Sequence, residues 1–153
     1  MVVTPKMQEY EDDLRDQWQS RAHRTEWRRM LQLLTDIATD TGARITALSG
    51  EIHLAARATM PLGETCTLHQ LIASGVAHRP PPKAWARVLG SLAALGEDPL
   101  QGAPIKIRRL PGQMGRYVAE RNTLVVTRTD DAWHAVWDLE VSGKTDPLPL
   151  AGA

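Results

Sequence analysis

The sequence has one cysteine, Cys66, and no phenylalanine in 153 residues. A single thiol cannot close an intramolecular disulfide, and it leaves no second thiolate for a zinc ribbon or a CxxC redox pair. No apolar run approaches the roughly 20 residues that a membrane-spanning helix needs, and from the composition of the first residues we expect no export signal. These absences predict a cytoplasmic protein that makes no contact with a membrane.

Motifs of the common enzyme classes are also missing. The five histidines show none of the HxH, HxxxH or HExxH spacings that place two imidazoles on one helix face for zinc. There is no GxSxG, no P-loop and no GxGxxG. We therefore expect no catalytic residues, no metal site and no cofactor. An enzyme whose site is assembled from scattered residues such as His53, Cys66 and His134 is kept as a further hypothesis.

The chain does contain enough apolar material for one core. Hydrophobic residues make up 42% of it, and five of them are tryptophans. Burial of these side chains can offset the entropy of ordering a chain of this length. We predict a single domain over residues 1–142 and a flexible tail over 143–153, where prolines and small residues are frequent.

Helical periodicity dominates the first part of the chain. Apolar residues recur every four positions from Tyr10 to Trp18, and a stripe with a 3.6-residue period runs from Trp27 to Ala38. Residues 1–41 are therefore predicted as a helical arm or a helix pair.

The next segment, residues 42–60, alternates between apolar and other side chains on both sides of Ser49 and Gly50. This pattern favours a hairpin with a tight turn. A helix over 44–58 is the alternative, although the glycine would cost it about 1 kcal/mol relative to alanine.

Two short helices are predicted over residues 67–95. The first covers 67–74 and ends at a glycine, and the second covers 82–95 after a run of three prolines. The apolar positions of the second helix are expected to face the core: Trp85, Val88, Leu89 and Leu92.

From residue 104 onward the apolar period changes to two, which predicts an antiparallel sheet over 104–141. The class is therefore α+β, with N-terminal helices followed by a C-terminal antiparallel β-meander. The order helix, helix, basic hairpin in the middle of the chain resembles that of a winged helix-turn-helix protein. That resemblance implies a second helix in the major groove of DNA and a hairpin on its backbone.

Charge is segregated along the chain although the net charge is zero. Residues 1–20 hold five acids and two bases, 21–29 hold four arginines and one acid, and 104–128 hold six basic residues and one acid. Basic side chains on one face suit phosphate recognition, because the arginine fork matches two oxygens. A solvated face whose arginines pair with neighbouring acids is the alternative. The candidate nucleic-acid or partner-binding residues are Arg21, Arg24, Arg28, Lys83, Arg87, Lys106, Arg108, Arg109, Arg116 and Arg121.

These patterns predict a small, non-catalytic cytoplasmic binding protein of bacterial or phage type. It would act on nucleic acid or a nucleoprotein complex through the basic hairpin, with a regulatory role. The alternative is a protein-protein interaction module, such as an adaptor, an inhibitor or an antitoxin-like partner. Such a module could form a homodimer, because the acidic segment 9–16 and the arginine-rich segment 21–29 are complementary in charge.

Overall fold

The computed structural model describes residues 22–50, 53–73, 75–130 and 132–150. Within them the chain forms two α-helices and two β-sheets, so the predicted α+β class is confirmed. The helices are α1 (Arg24–Thr41) and α2 (Lys83–Leu92), and a 3-10 turn (Ala93–Leu95) follows α2. The strands are β1 (Thr46–Ser49), β2 (Ala55–Leu62), β3 (Cys66–Ile72), β4 (Lys106–Arg108), β5 (Tyr117–Val118), β6 (Asn122–Thr129), β7 (Ala132–Leu139), β8 (Gly143–Lys144) and β9 (Leu148–Pro149).

Helix α1 lies in the second part of the segment predicted as helical, and residues 1–21 fall outside the described residues. Its apolar stripe buries Trp27, Leu31 and Ala38. The helix ends at Gly42, whose left-handed backbone (φ 68°) lets its N–H bond to the carbonyl of Ala38 at 2.9 Å. Glycine adopts this conformation without a steric penalty, which is why the helix stops here.

The first sheet has the strand order β1-β3-β2-β4, and β5 also pairs with β2. Strand β1 runs parallel to β3, while β2 runs antiparallel to β3, β4 and β5. The hairpin predicted over 42–60 is therefore wrong, because β1 and β2 each pair with β3 and not with each other. The central position of β3 explains this: it offers a hydrogen-bonding edge on both sides.

The helix predicted over 67–74 is also wrong, since this segment is strand β3. Leu68 packs in the cluster beneath α1, and Leu71 packs in a second cluster on the other side of the sheet. A strand buried on both faces shows no simple alternation. Because the first of the two expected helices is absent, the winged-helix arrangement is not confirmed.

The antiparallel sheet predicted over 104–141 is divided between the two sheets. Strands β4 and β5 join β2, and only β6 and β7 form a hairpin, in the second sheet. The β-meander is thus not confirmed.

The flexible tail predicted over 143–153 is wrong for residues 143–150, where β8 and β9 both pair with β7. Leu148 and Leu150 are buried there. The last three residues lie outside the described part of the chain.

Helix α2 presents its apolar residues differently from the prediction. Ala86 and Gly90 are its buried positions. Trp85, Val88 and Leu92, which were expected to face the core, are 47%, 50% and 61% exposed. Neither helix is long and apolar enough to cross a membrane, within the residues that the structure describes.

Candidate anion-binding site

Part of the first sheet carries polar side chains on the face opposite α1. Along β2 the residues alternate, so that Ala58 and Met60 are buried while Arg57 and Thr59 are partly exposed. These polar residues line an open groove of about 230 Å³, which we call the basic groove. Its lining residues are Arg57, Thr59, Pro61, Thr67, Pro104, Lys106 and Arg108.

Strand register brings the cations of the groove together. Arg57 on β2 stands opposite Arg108 on β4, and Thr59 stands opposite Lys106. On the other side of β2, Thr59 faces His69 of β3. Directly opposed residues of an antiparallel pair have Cβ atoms about 4.5–5.5 Å apart, so these side chains form one patch. None of the lining residues that the structure describes is acidic.

Hydrogen bonds hold two of these side chains in place. The Nε of Arg57 donates to the backbone carbonyl of Arg109 at 2.7 Å. The Nε of Arg108 donates to the hydroxyl Oγ1 of Thr59 at 3.3 Å. Each bond uses only Nε, so the terminal nitrogens of both guanidinium groups are left for a ligand. The paired orientation suits an anion with several oxygens.

The electrostatics of the groove favour a negatively charged ligand. Burial, and then the charge of Arg108, lower the pKa of Arg57. Burial, and then the charge of Arg57, lower the pKa of His69. Burial disfavours any charged form, but the second cause in each case is repulsion between neighbouring cations, and a bound anion would relieve that repulsion. The Nδ1 atom of His69 is buried without a hydrogen-bond partner among the described residues.

Of the residues predicted to bind a ligand, two lie in the groove: Lys106 and Arg108. Arg109 follows β4 and contributes its carbonyl, which accepts the bond from Arg57. Arg116 lies elsewhere and donates to the carbonyl of Gly90 at 3.4 Å.

Three other predicted residues form ion pairs. Arg24 lies 3.1 Å from Glu97, Lys83 lies 3.8 Å from Glu120, and Arg121 lies 2.9 Å from Glu140. Arg28 and Arg87 are exposed on helices α1 and α2, and Arg21 falls outside the described residues. The ten candidates therefore do not form one surface.

Sequence reasoning missed Arg57, Thr59 and His69. The signal was the period of two over residues 56–60, where alanine or methionine alternates with arginine and threonine. In the described part of the chain, no three or more His, Cys, Asp or Glu side chains are grouped so that they could hold a metal ion.

The chain matches the model of a known protein family. The model of a family described as PhoD-related phosphatase matches residues 4–97, which is more than half of the chain. A relative in Saccharomyces cerevisiae, the uncharacterized protein YGR266W, is 32% identical over 103 residues, and the match covers 51% of this chain and 15% of the yeast protein. The chain thus spans less than a sixth of the length of this relative. No solved structure matches this chain significantly.

The family match overturns the function expected from the sequence. The matched family is one of phosphatase-related proteins. The prediction of a non-catalytic protein that binds nucleic acid is therefore wrong, and so is the alternative of a protein-protein interaction module. The prediction that the chain is not an enzyme is wrong for the same reason. The matched segment contains Arg57, Thr59 and His69 and ends before β4.

Proposed function

Because the chain belongs to the family of PhoD-related phosphatases, we propose that the basic groove holds the phosphoryl group of a phosphate ester. The observation that supports this most directly is the register of Arg57 against Arg108, with Lys106 beside them and no acidic lining residue among those described. Two guanidinium groups held side by side repel each other in the absence of a ligand. A phosphoryl group carries two or more oxygens that can accept from both.

Four of the lining residues have a distinct role in this proposal. Arg57 and Arg108 offer their terminal nitrogens to the phosphoryl oxygens, and Lys106 adds a point charge. The hydroxyl of Thr59 accepts a bond from Arg108, so its own proton can be donated to the ligand. Donors arranged in this way stabilise the charge that builds on the oxygens when a phosphoryl group is transferred.

His69 complements the cations without adding to their charge. Its lowered pKa favours the neutral imidazole at neutral pH. A neutral imidazole donates one hydrogen bond from the nitrogen that carries the proton and accepts one at the other nitrogen. The chain spans only 15% of the length of its yeast relative. The function that we propose for it is therefore to hold the phosphoryl group.

Titration of the full chain with phenyl phosphate, followed by isothermal calorimetry at low salt, tests this function. We expect saturable binding that weakens about tenfold or more in Lys106→Ala and in Arg108→Ala, because each removes a hydrogen bond between charged groups. Arg28→Ala is the matched control: it removes the same charge from an exposed position on α1 and should leave the affinity unchanged. Equal affinities in all three variants would place the ligand elsewhere, and no binding at low salt would refute the proposal.

A further inference from the structure

The two prolines that line the basic groove lie together at one end of it. Pro61 is the second-last residue of β2, and Pro104 comes shortly before β4. The ladder between β2 and β4 ends at the pair Thr59–Lys106. The same register, continued by two residues on each strand, places Pro61 opposite Pro104. The prolines therefore form the next row of the groove after the row that contains Lys106.

Backbone geometry explains why the ladder stops at this row. The N–H of Ile105 donates to the carbonyl of Glu97 at 2.7 Å, and the Ile105 carbonyl accepts from the N–H of Glu97 at 3.3 Å. Backbone groups of successive residues in a strand point to opposite sides, so those of Pro104 and Lys106 point toward β2. A proline has no N–H to donate. The next hydrogen-bonded pair would be Pro61–Pro104, which cannot form, and the two rings border the groove instead.

This end of the groove offers apolar surface and few hydrogen-bonding groups. Pro61 is exposed and Pro104 is half-buried. Thr67 of β3, which pairs with Pro61, is the one described lining residue at this end with a hydrogen-bonding side chain. A sugar or glycerol group would have a single side-chain partner for its several hydroxyls, whereas an apolar group needs none. Proline rings also pack well on aromatic faces, as they do when proline-rich peptides bind aromatic-lined grooves.

The distance between the cations and the prolines fits an aromatic ester. The bond from Nε of Arg108 to the hydroxyl of Thr59 holds this guanidinium beside the Thr59–Lys106 row. A phosphoryl group bound there lies two residues along β2 from Pro61, which is about 7 Å. A phenyl group joined through the ester oxygen spans most of that distance and can place its face on the prolines. A methyl group is too short to reach them.

We propose that the basic groove selects phosphate esters of aromatic alcohols, with the aromatic ring on Pro61 and Pro104 and the phosphoryl group at Lys106 and Arg108. This inference rests on the function proposed above, since it requires that the groove hold the phosphoryl group, and it adds the chemical class of the ester. Esters of polar alcohols such as glycerol bind only through their phosphoryl group.

Calorimetric titration of the full chain with phenyl phosphate, methyl phosphate and glycerol 3-phosphate tests the selectivity. At pH 8 all three esters carry two negative charges, because their second pKa is about 6. We expect phenyl phosphate to bind about tenfold more tightly than the other two, since one face of its ring leaves water. Equal, saturable binding of the three esters would overturn the selectivity and leave the proposed function intact. No binding of any of them would overturn both.

Two variants and one spectroscopic measurement locate the aromatic ring. Pro61→Thr and Pro104→Thr should each weaken the binding of phenyl phosphate about threefold and leave that of methyl phosphate unchanged, because the cations stay in place. Pro149→Thr is the matched control: it makes the same change at an exposed position of β9 in the second sheet and should keep the full preference.

The measurement on the wild type needs no substitution. The ring current of bound phenyl phosphate should shift the NMR signals of the Pro61 and Pro104 protons, and methyl phosphate should not. A preference for phenyl phosphate that survives both proline substitutions would overturn the proposal. Proline signals that do not move when phenyl phosphate binds would also overturn it, because the ring would then lie elsewhere.

Discussion

The indole Nε1 of Trp137 donates a hydrogen bond to the backbone carbonyl of Ile72, 3.0 Å away. Trp137 lies on β7 of the second sheet, and Ile72 is the last residue of β3 in the first. The Trp137 side chain is fully buried, and it packs in the same cluster as Leu71. This one side chain therefore provides both apolar packing and a specific polar link between the two sheets.

We expect Trp137→Phe to lower the free energy of unfolding by about 3 kcal/mol. The change removes the indole donor, leaves the Ile72 carbonyl without its partner in the interior, and opens a small cavity. Urea denaturation followed by circular dichroism measures the loss. Trp133→Phe is the control on the same strand: Trp133 is 48% exposed, so its replacement should change the stability by about 0.5 kcal/mol or less. Equal losses in the two variants would refute a special role for the Trp137–Ile72 bond.

Sequence periodicity predicts the elements that have one exposed face. Helix α1 shows a stripe because only one side of it packs against the sheet, and β7 alternates because only one of its faces is buried. The helix predicted over 67–74 relied on the glycine that follows this segment. Strand β3 shows no clear alternation that would have corrected the prediction, because Leu68 and Leu71 are buried on opposite faces of the sheet.

The candidate site was only half predictable for a similar reason. Lys106 and Arg108 belong to a segment rich in basic residues and were found by counting charges. Arg57 stands alone in a segment with no charge excess, and it joins the groove only through the pairing of β2 with β4. Such pairing between distant segments is fixed by tertiary packing, which no local pattern contains.

Glu120 is a buried carboxylate that fixes the turn after β7. It accepts bonds from the backbone N–H groups of Val141 and Ser142 at 3.0 and 2.8 Å, and from the Ser142 hydroxyl at 2.8 Å. Burial alone would raise the pKa of Glu120, but the bonds from Ser142 and Val141, together with the charge of Lys83, lower it. The ionised form is therefore the one that the fold selects.

We expect Glu120→Gln to reduce the stability at neutral pH by about 1–3 kcal/mol, because the charge-assisted bonds are lost. The pKa in the fold lies below the ordinary 4.5, so the contribution of Glu120 is complete above that pH and disappears as the pH falls toward the lowered value. Denaturation at several pH values should show the two proteins converging in acid. Glu140→Gln, at an exposed ion pair, should cost about 1 kcal/mol or less. A gap between wild type and Glu120→Gln that is independent of pH would contradict this role.

His69 lies on β3 opposite Thr59 of the basic groove, so its protonation should respond to a ligand bound there. Burial and the charge of Arg57 place its pKa below the ordinary 6.5, so we expect an NMR titration to show the neutral imidazole persisting under mildly acidic conditions. Arg57→Gln should raise the pKa of His69, since it removes the nearby positive charge and leaves the burial. Phenyl phosphate bound in the groove should raise it as well, because an anion stabilises the charged imidazolium.

The same shift predicts how stability depends on pH. Since the pKa of His69 in the fold is lower than in the unfolded chain, the unfolded state binds more protons between the two values. The stabilisation is complete above about pH 6.5 and is lost as the pH falls from there toward the lowered pKa. His69→Gln should remove this part of the pH dependence, while Arg28→Ala, far from the groove, should keep it. A pKa of His69 at or above its ordinary value in the ligand-free protein would contradict this prediction. It would mean that the groove is not positively charged around His69, so the expected response to phenyl phosphate would have no electrostatic basis.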